Sequence, residues 1–373
     1  MNEKDVRVCI DGEPYAVKYL HIKAGKNKIP LSVTFEITRR CNFNCKMCYV
    51  HDDECKKDSL TADEWIFLAK QAKDAGALFM LITGGEPLIR NDFPYIYKEI
   101  KKMGFIVSIN TNGSLITDEI ASLFISDPPS RLNITLYGAR EKTYKRVTGV
   151  NAFETVCSNI IKMKKAGVDC RLNCSLIPDN AGDIEKIFSF AGKNGLFVKA
   201  SDYMYPKSRT AYFKTGENES RFDEKQAAYY RVLINKLKWG ETEFLNRRNA
   251  MLDEIDKLKN TAGQNGENGV MCRAGSSSLW IDSDGFMSAC GMFNINKFDV
   301  RESGFMRSWE KVVESTAKIR LPEKCRTCIF RKICGVCAAA VLCETGGFSD
   351  APEYICKTAR YFYEYMKKEP TDD

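Results

Sequence analysis

Three cysteines close together are the strongest chemical signal in this sequence. Cys41, Cys45 and Cys48 lie in the stretch CNFNCKMC, within one short loop. Three thiolates at this spacing can hold three irons of a 4Fe–4S cube and leave the fourth iron without a protein ligand, and metal sites with an open position are usually catalytic. Zinc or a ferredoxin-like cluster is the alternative. Zinc sites usually add a second cysteine pair or histidines, however, and only His51 is close.

The segment before this loop predicts where the cysteines lie. LSVTFEIT, at 31–38, alternates and is rich in β-branched residues, which is typical of a β-strand. The cysteines follow directly, so we expect them on the loop at the carboxyl end of a first strand. This is the edge where α/β barrels carry their active sites.

A second motif follows the next apolar run. Gly84, Gly85, Glu86 and Pro87 form GGEP at the end of the expected strand 78–84. The combination of CxxxCxxC and GGEP after successive strands resembles the radical S-adenosylmethionine (radical SAM) enzymes. The resemblance implies an oxidoreductase that reductively cleaves S-adenosylmethionine (SAM) to a 5′-deoxyadenosyl radical, which abstracts hydrogen from the substrate. In such an enzyme the cofactor supplies the difficult chemistry and the protein positions and shields it.

The same resemblance assigns SAM contacts to residues of the predicted barrel. The GGEP segment would meet the methionine ammonium group through Glu86, and its glycines would allow close backbone approach. Arg146 resembles the arginine that pairs with the methionine carboxylate, a role that suits a guanidinium. Tyr49 resembles the aromatic residue beside the adenine. Polar residues at strand ends are expected to contact the ribose or carboxylate, namely Ser108, Asn110, Thr111, Asn112, Asn133 and Thr135.

Structural roles are the alternative for these residues. GGEP alone would be a glycine turn, Tyr49 could pack the loop, and Arg146 could be an ordinary arginine on a helix surface. The sequence identifies no catalytic residue. Four residues at the ends of expected strands could line a substrate pocket, with core packing as the alternative for the tyrosines: Tyr137, Asp202, Tyr203 and Tyr205.

Strand and helix patterns alternate from residue 31 to about 240, which predicts βα units and a parallel sheet. Strands are expected at 31–38, 78–84, 105–113, 131–138, 170–177 and 196–203. Helices are expected at 61–75, 92–103, 117–126, 152–166, 182–194 and 223–239. Six units are too few for a closed eight-stranded barrel. We therefore predict an α/β fold that, by the resemblance, is a partial (β/α)6 TIM-like barrel with an open side for substrate.

The remaining segments differ in composition from this barrel. Residues 1–30 are predicted to form a short β-hairpin appendage with a turn at Asp11–Gly12. Residues 241–269 read as a charged helix followed by a polar, glycine-rich linker. In residues 270–373 the periodicity gives way to cysteines and turns. We predict a separate C-terminal cysteine-rich domain there, held by metal as much as by an apolar core.

The C-terminal cysteines resemble the SPASM domain, an extension of many radical SAM enzymes that holds two auxiliary 4Fe–4S clusters. Cys272, Gly285 and Cys290 match one segment of the family pattern, and a C-x2-C-x5-C block begins at Cys325. The resemblance implies that one cluster is held by Cys325, Cys328, Cys334 and Cys356.

The other auxiliary cluster is less completely defined. Its ligands would be Cys272, Cys290 and Cys337, with Cys343 as a candidate fourth. If Cys343 stays free, this cluster has an open iron that could touch substrate. The spacing departs from the family, because only two residues separate Cys334 from Cys337 where three are usual. Zinc is the alternative for these cysteines as well.

Composition and charge exclude several classes of protein. The 373 residues are 44% hydrophobic and 28% charged, as in ordinary globular proteins. No apolar run approaches the ~20 residues of a membrane span, and charges occupy the start where a secretory signal needs an apolar segment. Sixteen cysteines in such a chain favour metal binding in a reducing cytoplasm over disulfides. The net charge of +7 is spread along the chain and forms no aromatic-studded basic tract for nucleic acid.

The resemblance also implies a class of substrate. Most enzymes of this architecture modify peptides, so we expect a peptide maturase that installs a thioether or carbon–carbon crosslink, or another oxidative modification. Formylglycine formation is disfavoured because Gly291, and not an aspartate, follows Cys290. A reducing partner such as flavodoxin or ferredoxin is implied.

Two further expectations concern the partner and the alternatives. About thirty residues precede the first strand, fewer than the leader-binding domain of ~80 residues in many such enzymes. A separate leader-peptide-binding protein could therefore present the peptide. The alternatives are a radical SAM enzyme acting on a small metabolite and, more remotely, a non-catalytic metal-binding scaffold.

Overall fold

The computed structural model describes residues 13–50, 57–207, 215–259 and 268–368. Within these ranges nine strands form a single sheet. The strands are β1 (Ser32–Glu36), β2 (Phe79–Thr83), β3 (Ile106–Thr111), β4 (Arg131–Thr135), β5 (Cys170–Ser175), β6 (Phe197–Ser201), β7 (Ser278–Ile281), β8 (Phe286–Ser288) and β9 (Phe298–Asp299).

The sheet confirms the predicted α/β class and parallel topology. Its spatial order is β6-β5-β4-β3-β2-β1-β7-β8-β9. Strands β1 to β6 pair in parallel with their neighbours, as six βα units require. Each lies inside its predicted range. Because the order is linear, the described strands form an open sheet and not a closed barrel.

Helices connect the strands and cover one face of the sheet. In the first two thirds of the chain they are α1 (Tyr15–Lys26), α2 (Ala62–Asp74), α3 (Phe93–Lys102), α4 (Asp118–Ser126), α5 (Glu141–Thr148), α6 (Phe153–Lys165), α7 (Ile184–Lys193), α8 (Glu224–Trp239) and α9 (Glu241–Lys259). The C-terminal ones are α10 (Val300–Ser303), α11 (Phe305–Ala317), α12 (Glu323–Arg326), α13 (Arg331–Cys334), α14 (Ala338–Thr345) and α15 (Glu353–Lys368). None of these helices combines the length and apolar character needed to cross a membrane.

The start of α2 shows how the sequence sets a helix boundary. The Thr61 hydroxyl accepts a hydrogen bond from the Glu64 backbone N–H at 3.3 Å, and the Glu64 carboxylate accepts one from the Thr61 N–H at 2.7 Å. This capping box satisfies two amide donors that a helix start otherwise leaves free. The predicted start at Thr61 is therefore confirmed.

The two faces of the sheet differ in chemistry. On β3, Val107 and Ile109 are fully buried under the helices, while Ser108 and Asn110 between them are half-buried on the opposite face. Asn110 lies in register with Asn133 on β4, which lies in register with Arg171 on β5. The inner face of the sheet therefore offers polar groups at the concave position where barrel enzymes bind ligands.

The C-terminal segment joins this sheet, which the prediction of a separate domain did not anticipate. Strand β7 pairs in parallel with β1, with Ser278 opposite Ser32. The indole of Trp309 is almost fully buried and donates a hydrogen bond to the Lys28 carbonyl at 2.6 Å. Buried apolar residues of both halves form one continuous cluster, from Val33 to Ile355. An apolar core therefore holds the two halves together in addition to any metal.

The prediction for residues 1–30 was wrong over the part that the structure describes. Residues Tyr15–Lys26 form helix α1 and not a hairpin strand. Lys23 and Lys26 in its last turn are favourably placed at the negative end of the helix dipole. The expected turn at Asp11–Gly12, His51 and the polar linker at 260–267 lie outside the described residues.

His21 fixes helix α1 to the junction between β1 and β7. Its two ring nitrogens lie 3.0 Å from the Ser277 hydroxyl and 3.2 Å from the Ser32 hydroxyl. The ring stacks on Phe79 and is only 2% exposed. Burial, helped by the positive charge of Arg273, lowers the pKa of His21 to about 4. The ring is therefore neutral in the folded protein at neutral pH.

We predict that His21 makes stability fall on acidification. The folded pKa of about 4 lies below the unfolded value of 6.5, so the unfolded state binds the extra proton. Stability is full above pH 6.5 and is lost as pH falls from 6.5 towards 4. The expected loss at pH 5 relative to pH 7.5 is about 2 kcal/mol from this group. Urea unfolding of the wild type and His21→Gln at both pH values measures it. An equal loss of stability in both proteins would contradict the prediction.

Candidate metal centre

Backbone contacts between two loops hold the start of the cysteine loop. The Gly85 N–H donates to the Thr38 carbonyl at 2.8 Å, and the Glu86 N–H donates to the Arg40 carbonyl at 2.9 Å. A Cβ on Gly84 would lie 2.6 Å from the Thr38 oxygen, and one on Gly85 would lie 2.5 Å from the carbonyl oxygens of residues 39 and 40. The glycines of GGEP are therefore needed for close approach to the chain that leads into Cys41.

An ion-pair network braces the same segment from the other side. The Asp58 carboxylate accepts hydrogen bonds from the Thr38 hydroxyl and from the Arg40 guanidinium, each at 2.5 Å. Burial opposes ionisation of Asp58, but the bonds from Arg40 and Thr38 outweigh it and hold its pKa below the ordinary value. The buried Arg90 donates to the Ile37 carbonyl at 2.9 Å. Charged hydrogen bonds therefore fix the backbone immediately before the cysteines.

The three thiols of the loop share a half-buried environment. Burial raises the pKa of Cys41 to about 12, and the charges of Glu86 and Cys48 raise it further. Burial also raises the pKa of Cys45, with added contributions from Cys48 and Cys41. Ionising all three thiols together is therefore costly in the protein alone. A bound cationic group would remove that cost, because metals bind thiolates and displace their protons.

Neighbouring side chains converge on two of these thiols. The Asn112 amide lies 3.9 Å from Cys41 Sγ and also donates to the Asn42 side-chain oxygen at 2.9 Å. The Tyr137 phenol contacts Cys45 and is itself largely buried. Tyr137 was predicted as a pocket residue, but its ring lies against the cysteine loop. It packs on Phe43, with the two ring centroids 6.2 Å apart.

Glu86 is the centre of the hydrogen bonding between β2 and β3. Its carboxylate is completely buried and accepts bonds from the Thr111 hydroxyl at 2.7 Å, the Asn112 N–H at 2.6 Å and the Leu88 N–H at 3.1 Å. Burial raises its pKa to about 7 even though these donors favour the charged form. The carboxylate therefore braces the strand ends, and a contact between its side chain and a methionine ammonium group stays a prediction.

The other residues assigned to SAM occupy defined positions near the carboxyl ends of the strands. Asn133 donates to the Asn110 side chain at 2.9 Å, and Ser108 lies 3.2 Å from the Ser130 hydroxyl. Thr135 and Tyr49 are half-buried, and Tyr49 packs against the core beside the loop. These placements bring the polar strand ends together, but their contacts with SAM stay predictions.

Arg146 is tied to the cysteine loop through an intermediate carboxylate. Its Nε lies 3.2 Å from the Asp179 carboxylate, which also binds Lys46 of the cysteine loop at 2.9 Å. The Arg146 side chain is 45% exposed. The ion pair holds α5 against the loop, and binding of a ligand carboxylate by Arg146 stays a prediction.

The three remaining pocket candidates follow β6 and contact later parts of the chain. Asp202 forms an ion pair with Arg231 of α8 at 2.7 Å. The Tyr203 hydroxyl donates to the Glu344 carboxylate at 2.7 Å. Both side chains therefore connect the barrel to neighbouring helices. Tyr205, named with them as a pocket residue, lies 3.6 Å from the Cys337 sulfur.

Four C-terminal cysteines line one small cavity, as the predicted grouping requires. They are Cys325, Cys328, Cys334 and Cys356. Burial raises the pKa of Cys325 to about 11, and the neighbouring Arg331 opposes that rise. Arg331 also lines the cavity, and its buried Nη1 has no hydrogen-bond partner in the part of the chain that the structure describes. A half-buried guanidinium with one buried, free donor beside four thiols fits an anionic thiolate-ligated group.

The other four cysteines influence one another electrostatically. Burial raises the pKa of Cys290 to about 12, and Cys272, Cys337 and Cys343 add to that rise. Cys343 is 1% exposed, and its thiol donates to the Met292 carbonyl at 3.6 Å. Cys343 therefore lies among the predicted ligands and not apart from them.

These three sets of thiols fit iron–sulfur groups by the chemistry of their donors. In the described ranges no three metal-ligating side chains converge at the spacing of a single ion. The fit rests instead on three groups of thiols, most of them buried or half-buried, in which neighbouring thiols add to the burial that raises their pKa values, and on the free Arg331 donor. Cysteine thiolates are the ligands that such clusters require.

Sequence reasoning missed several residues that shape the site. Glu36 is fully buried at the end of β1 and accepts a hydrogen bond from the Trp280 indole at 3.1 Å. Arg221 and Glu344 form an ion pair at 2.6 Å between the loop before α8 and helix α14. These pairs join segments far apart in sequence, so no local pattern could reveal them. Arg331 could have been found from the sequence, because it lies inside the C-x2-C-x5-C block of predicted cluster ligands.

Comparison with known proteins identifies a radical SAM domain in the chain. Residues 35–191 match the radical SAM superfamily. A relative named AdoMet-dependent heme synthase, from Methanosarcina barkeri, is 25% identical over an alignment of 349 residues. The alignment covers 87% of this chain and 96% of that protein. A probable GTP 3',8-cyclase from Thermococcus kodakarensis is 30% identical over an alignment of 187 residues. That alignment covers 49% of this chain and 61% of the cyclase.

Solved structures share the fold over most of the chain. SuiB of Streptococcus suis, bound to its precursor peptide SuiA, aligns with a TM-score of 0.65 and 19% identity, over 93% of this chain and 82% of its own. anSMEcpe, with bound AdoMet and the Kp18Cys peptide, aligns with a TM-score of 0.67 and 18% identity, over 90% of this chain and 96% of its own. The predicted architecture, a parallel α/β sheet of the radical SAM type with a cysteine-rich C-terminal region, is therefore confirmed.

We predict that Gly85→Ala selectively empties the first metal site. The new Cβ would overlap two backbone carbonyls of the cysteine loop, so the loop must move, at a cost of ~1–3 kcal/mol. Iron bound after anaerobic reconstitution should fall by about four atoms per chain, one 4Fe–4S cube. Gly192→Ala is the matched control, because its Cβ would meet no atom within 4 Å. An unchanged amount of bound iron in Gly85→Ala would contradict the proposed role of this backbone contact in holding the first metal site.

Proposed function

Because residues 35–191 match the radical SAM superfamily, we propose that the protein is a peptide-modifying oxidoreductase with one catalytic and two auxiliary 4Fe–4S clusters. The observation that carries the proposal is the grouping of its cysteines. Three thiols lie on one braced loop at the carboxyl end of β1. Eight more lie in the C-terminal segment that extends the same sheet through β7.

The residues of the first site would hold and shield the cofactors. Cys41, Cys45 and Cys48 would ligate the catalytic cluster and leave one iron for SAM. When bound, this pair supplies the electron and the cleavable bond by which hydrogen is removed from an unactivated carbon. Glu86 braces the strand ends beside the loop, and its buried hydrogen bonds keep the loop in place before any ligand arrives. Such preorganisation is what a site for reactive chemistry needs.

Residues on the inner face of the sheet would bind SAM itself. The polar face at Ser108, Asn110, Asn133 and Thr135 supplies hydroxyl and amide groups for a ribose. Tyr49 would lie beside the adenine, and Arg146 would bind the methionine carboxylate after exchanging its partner Asp179. The backbone at Gly84 and Gly85 would receive the ammonium group, since the Glu86 carboxylate is already engaged.

The auxiliary sites would each be held by four cysteines. The cavity lined by Cys325, Cys328, Cys334 and Cys356 supports one of them. Cys343 is buried among Cys272, Cys290 and Cys337. This placement supports Cys343 as the fourth ligand of the other cluster, which leaves no open iron there.

A peptide substrate is supported by the architecture. SuiB and anSMEcpe, which share this fold over at least nine tenths of the chain, were each solved with a peptide bound. The expected reaction is an oxidative modification such as a thioether or carbon–carbon crosslink. A flavodoxin or ferredoxin would supply electrons, and a separate protein could present the leader segment of the peptide.

One observation favours a second candidate, a small-metabolite substrate. The relative named AdoMet-dependent heme synthase matches over nearly its whole length, and a second such relative, from Nitratidesulfovibrio vulgaris, matches over 91% of its own. A radical SAM reaction on a heme precursor is therefore the alternative that experiments should include.

We predict that two cysteine variants separate the roles of the clusters. Cys45→Ala should abolish reductive SAM cleavage, because the catalytic cluster loses one of its three ligands. Cys328→Ala should retain SAM cleavage without substrate and lose product formation, because it disturbs only an auxiliary site. Chromatographic assay of 5′-deoxyadenosine and product with reconstituted, reduced enzyme measures both. Full product formation by Cys328→Ala would refute its assignment, and SAM cleavage by Cys45→Ala would refute the catalytic site.

We also predict the mass change that identifies the substrate class. The reconstituted enzyme, SAM and reductant are incubated with a short cysteine-containing peptide encoded beside this gene, or with a heme precursor porphyrin. Loss of two hydrogens per modification in the peptide, by mass spectrometry, is the expected result. Conversion of the porphyrin with an unchanged peptide would instead establish the small-metabolite alternative.

A further inference from the structure

The segment after β6 brings a phenol to one of the C-terminal cysteines. Tyr205 lies four residues beyond the end of β6, and its hydroxyl is 3.6 Å from Cys337 Sγ. Cys337 stands at the start of helix α14, where its sulfur also accepts a hydrogen bond from the Ala340 N–H at 3.4 Å. This contact directly joins the barrel to a residue of the proposed first auxiliary site, which comprises Cys272, Cys290, Cys337 and Cys343.

Surrounding contacts hold the Tyr205 hydroxyl in this position. Its backbone carbonyl accepts a hydrogen bond from the Asn218 side chain at 2.7 Å. The Tyr203 ring packs edge-on against the Tyr205 ring, with centroids 4.8 Å apart. The ring of Tyr205 therefore has little freedom to turn its hydroxyl away from the sulfur.

An ion pair anchors the same assembly to α14. The Glu344 carboxylate of α14 accepts hydrogen bonds from the Tyr203 hydroxyl at 2.7 Å and from Arg221 at 2.6 Å. The Glu344 side chain is 4% exposed. Tyr203 and Arg221 are therefore held by charge-assisted hydrogen bonds, which are the stronger kind, to the helix that follows Cys337.

The direction of the hydrogen bond follows from the chemistry of a ligating cysteine. A thiol could donate or accept, but a thiolate bound to iron has no proton, so only the phenol can donate. A donor to a thiolate stabilises the more negative, reduced state of the cluster more than the oxidised state. Hydrogen bonds to sulfur are one of the determinants of cluster reduction potential.

We propose that Tyr205 is a positioning residue whose hydroxyl donates a hydrogen bond to the Cys337 thiolate and raises the reduction potential of the first auxiliary cluster. The inference rests on the proposed function, because it requires a cluster at that site. It gives the segment after β6 a specific role, which is to make the cluster a better electron acceptor. Tyr203, whose hydroxyl bonds to Glu344, has no such role.

Tyr205→Phe and Tyr203→Phe form a matched pair of variants. Each removes one hydroxyl and keeps the ring, so the aromatic packing is preserved. Redox titration followed by electron paramagnetic resonance should show that Tyr205→Phe lowers one auxiliary midpoint potential. The expected shift corresponds to a tenfold change in the reduction equilibrium, about 59 mV for one electron. Tyr203→Phe should leave both auxiliary midpoints unchanged.

A second measurement detects the hydroxyl proton itself. Electron–nuclear double resonance of the reduced wild-type holoenzyme, prepared in H2O and in D2O, should reveal exchangeable protons coupled to this cluster, one from the Tyr205 hydroxyl and one from the Ala340 N–H. The Tyr205 coupling should persist in Tyr203→Phe and vanish in Tyr205→Phe, while the Ala340 coupling stays in both variants.

The outcomes separate this inference from the function on which it rests. If the wild type binds no iron at the C-terminal cysteines, the proposed function fails. If iron and cluster signals are intact in both variants but the Tyr205→Phe midpoint and the exchangeable-proton couplings are unchanged, the inference alone is overturned. An equal shift in both variants would also overturn it, because the effect would then come from packing.

Discussion

The contact between two backbone segments after β1 and β2 is the constraint on which the metal centre depends. Carbonyl oxygens of residues 38–40 occupy the space that a side chain on Gly84 or Gly85 would fill. Hydrogen bonds from Gly85 and Glu86 close the contact, and the ion pairs of Asp58 support it from the other side. Three thiols that repel one another when ionised can be held close together only on a loop anchored in this way.

The sheet also connects the cysteine loop to the C-terminal segment. Pairing of β7 with β1 places the C-terminal segment beside the strand that leads into Cys41. The buried bonds among Tyr203, Glu344 and Arg221 join the opposite edge, after β6, to helix α14. The C-terminal cysteines are therefore connected to the barrel at both edges.

Local patterns predicted many of the helices and strands correctly, while the cysteine groups stay predictions. Alternation in LSVTFEIT gave β1, and the Thr61–Glu64 pair gave the start of α2, because both signals act between near neighbours in sequence. The helix at 15–26 and the pairing of β7 with β1 were not predictable in this way, since tertiary contacts such as those of His21 decide them. The placements of Arg146 and Asp202 likewise depend on carboxylate or guanidinium partners far away in the chain.

The central claim is that the first three cysteines hold a cluster with one iron left for SAM. The direct measurement is the electron paramagnetic resonance spectrum of the anaerobically reconstituted, reduced protein before and after SAM is added. We expect the signal of one cluster to change on SAM addition, and that signal to be missing in a variant with Cys41, Cys45 and Cys48 replaced by alanine. A spectrum that SAM leaves unaltered, or zinc in place of iron at these cysteines, would contradict the account.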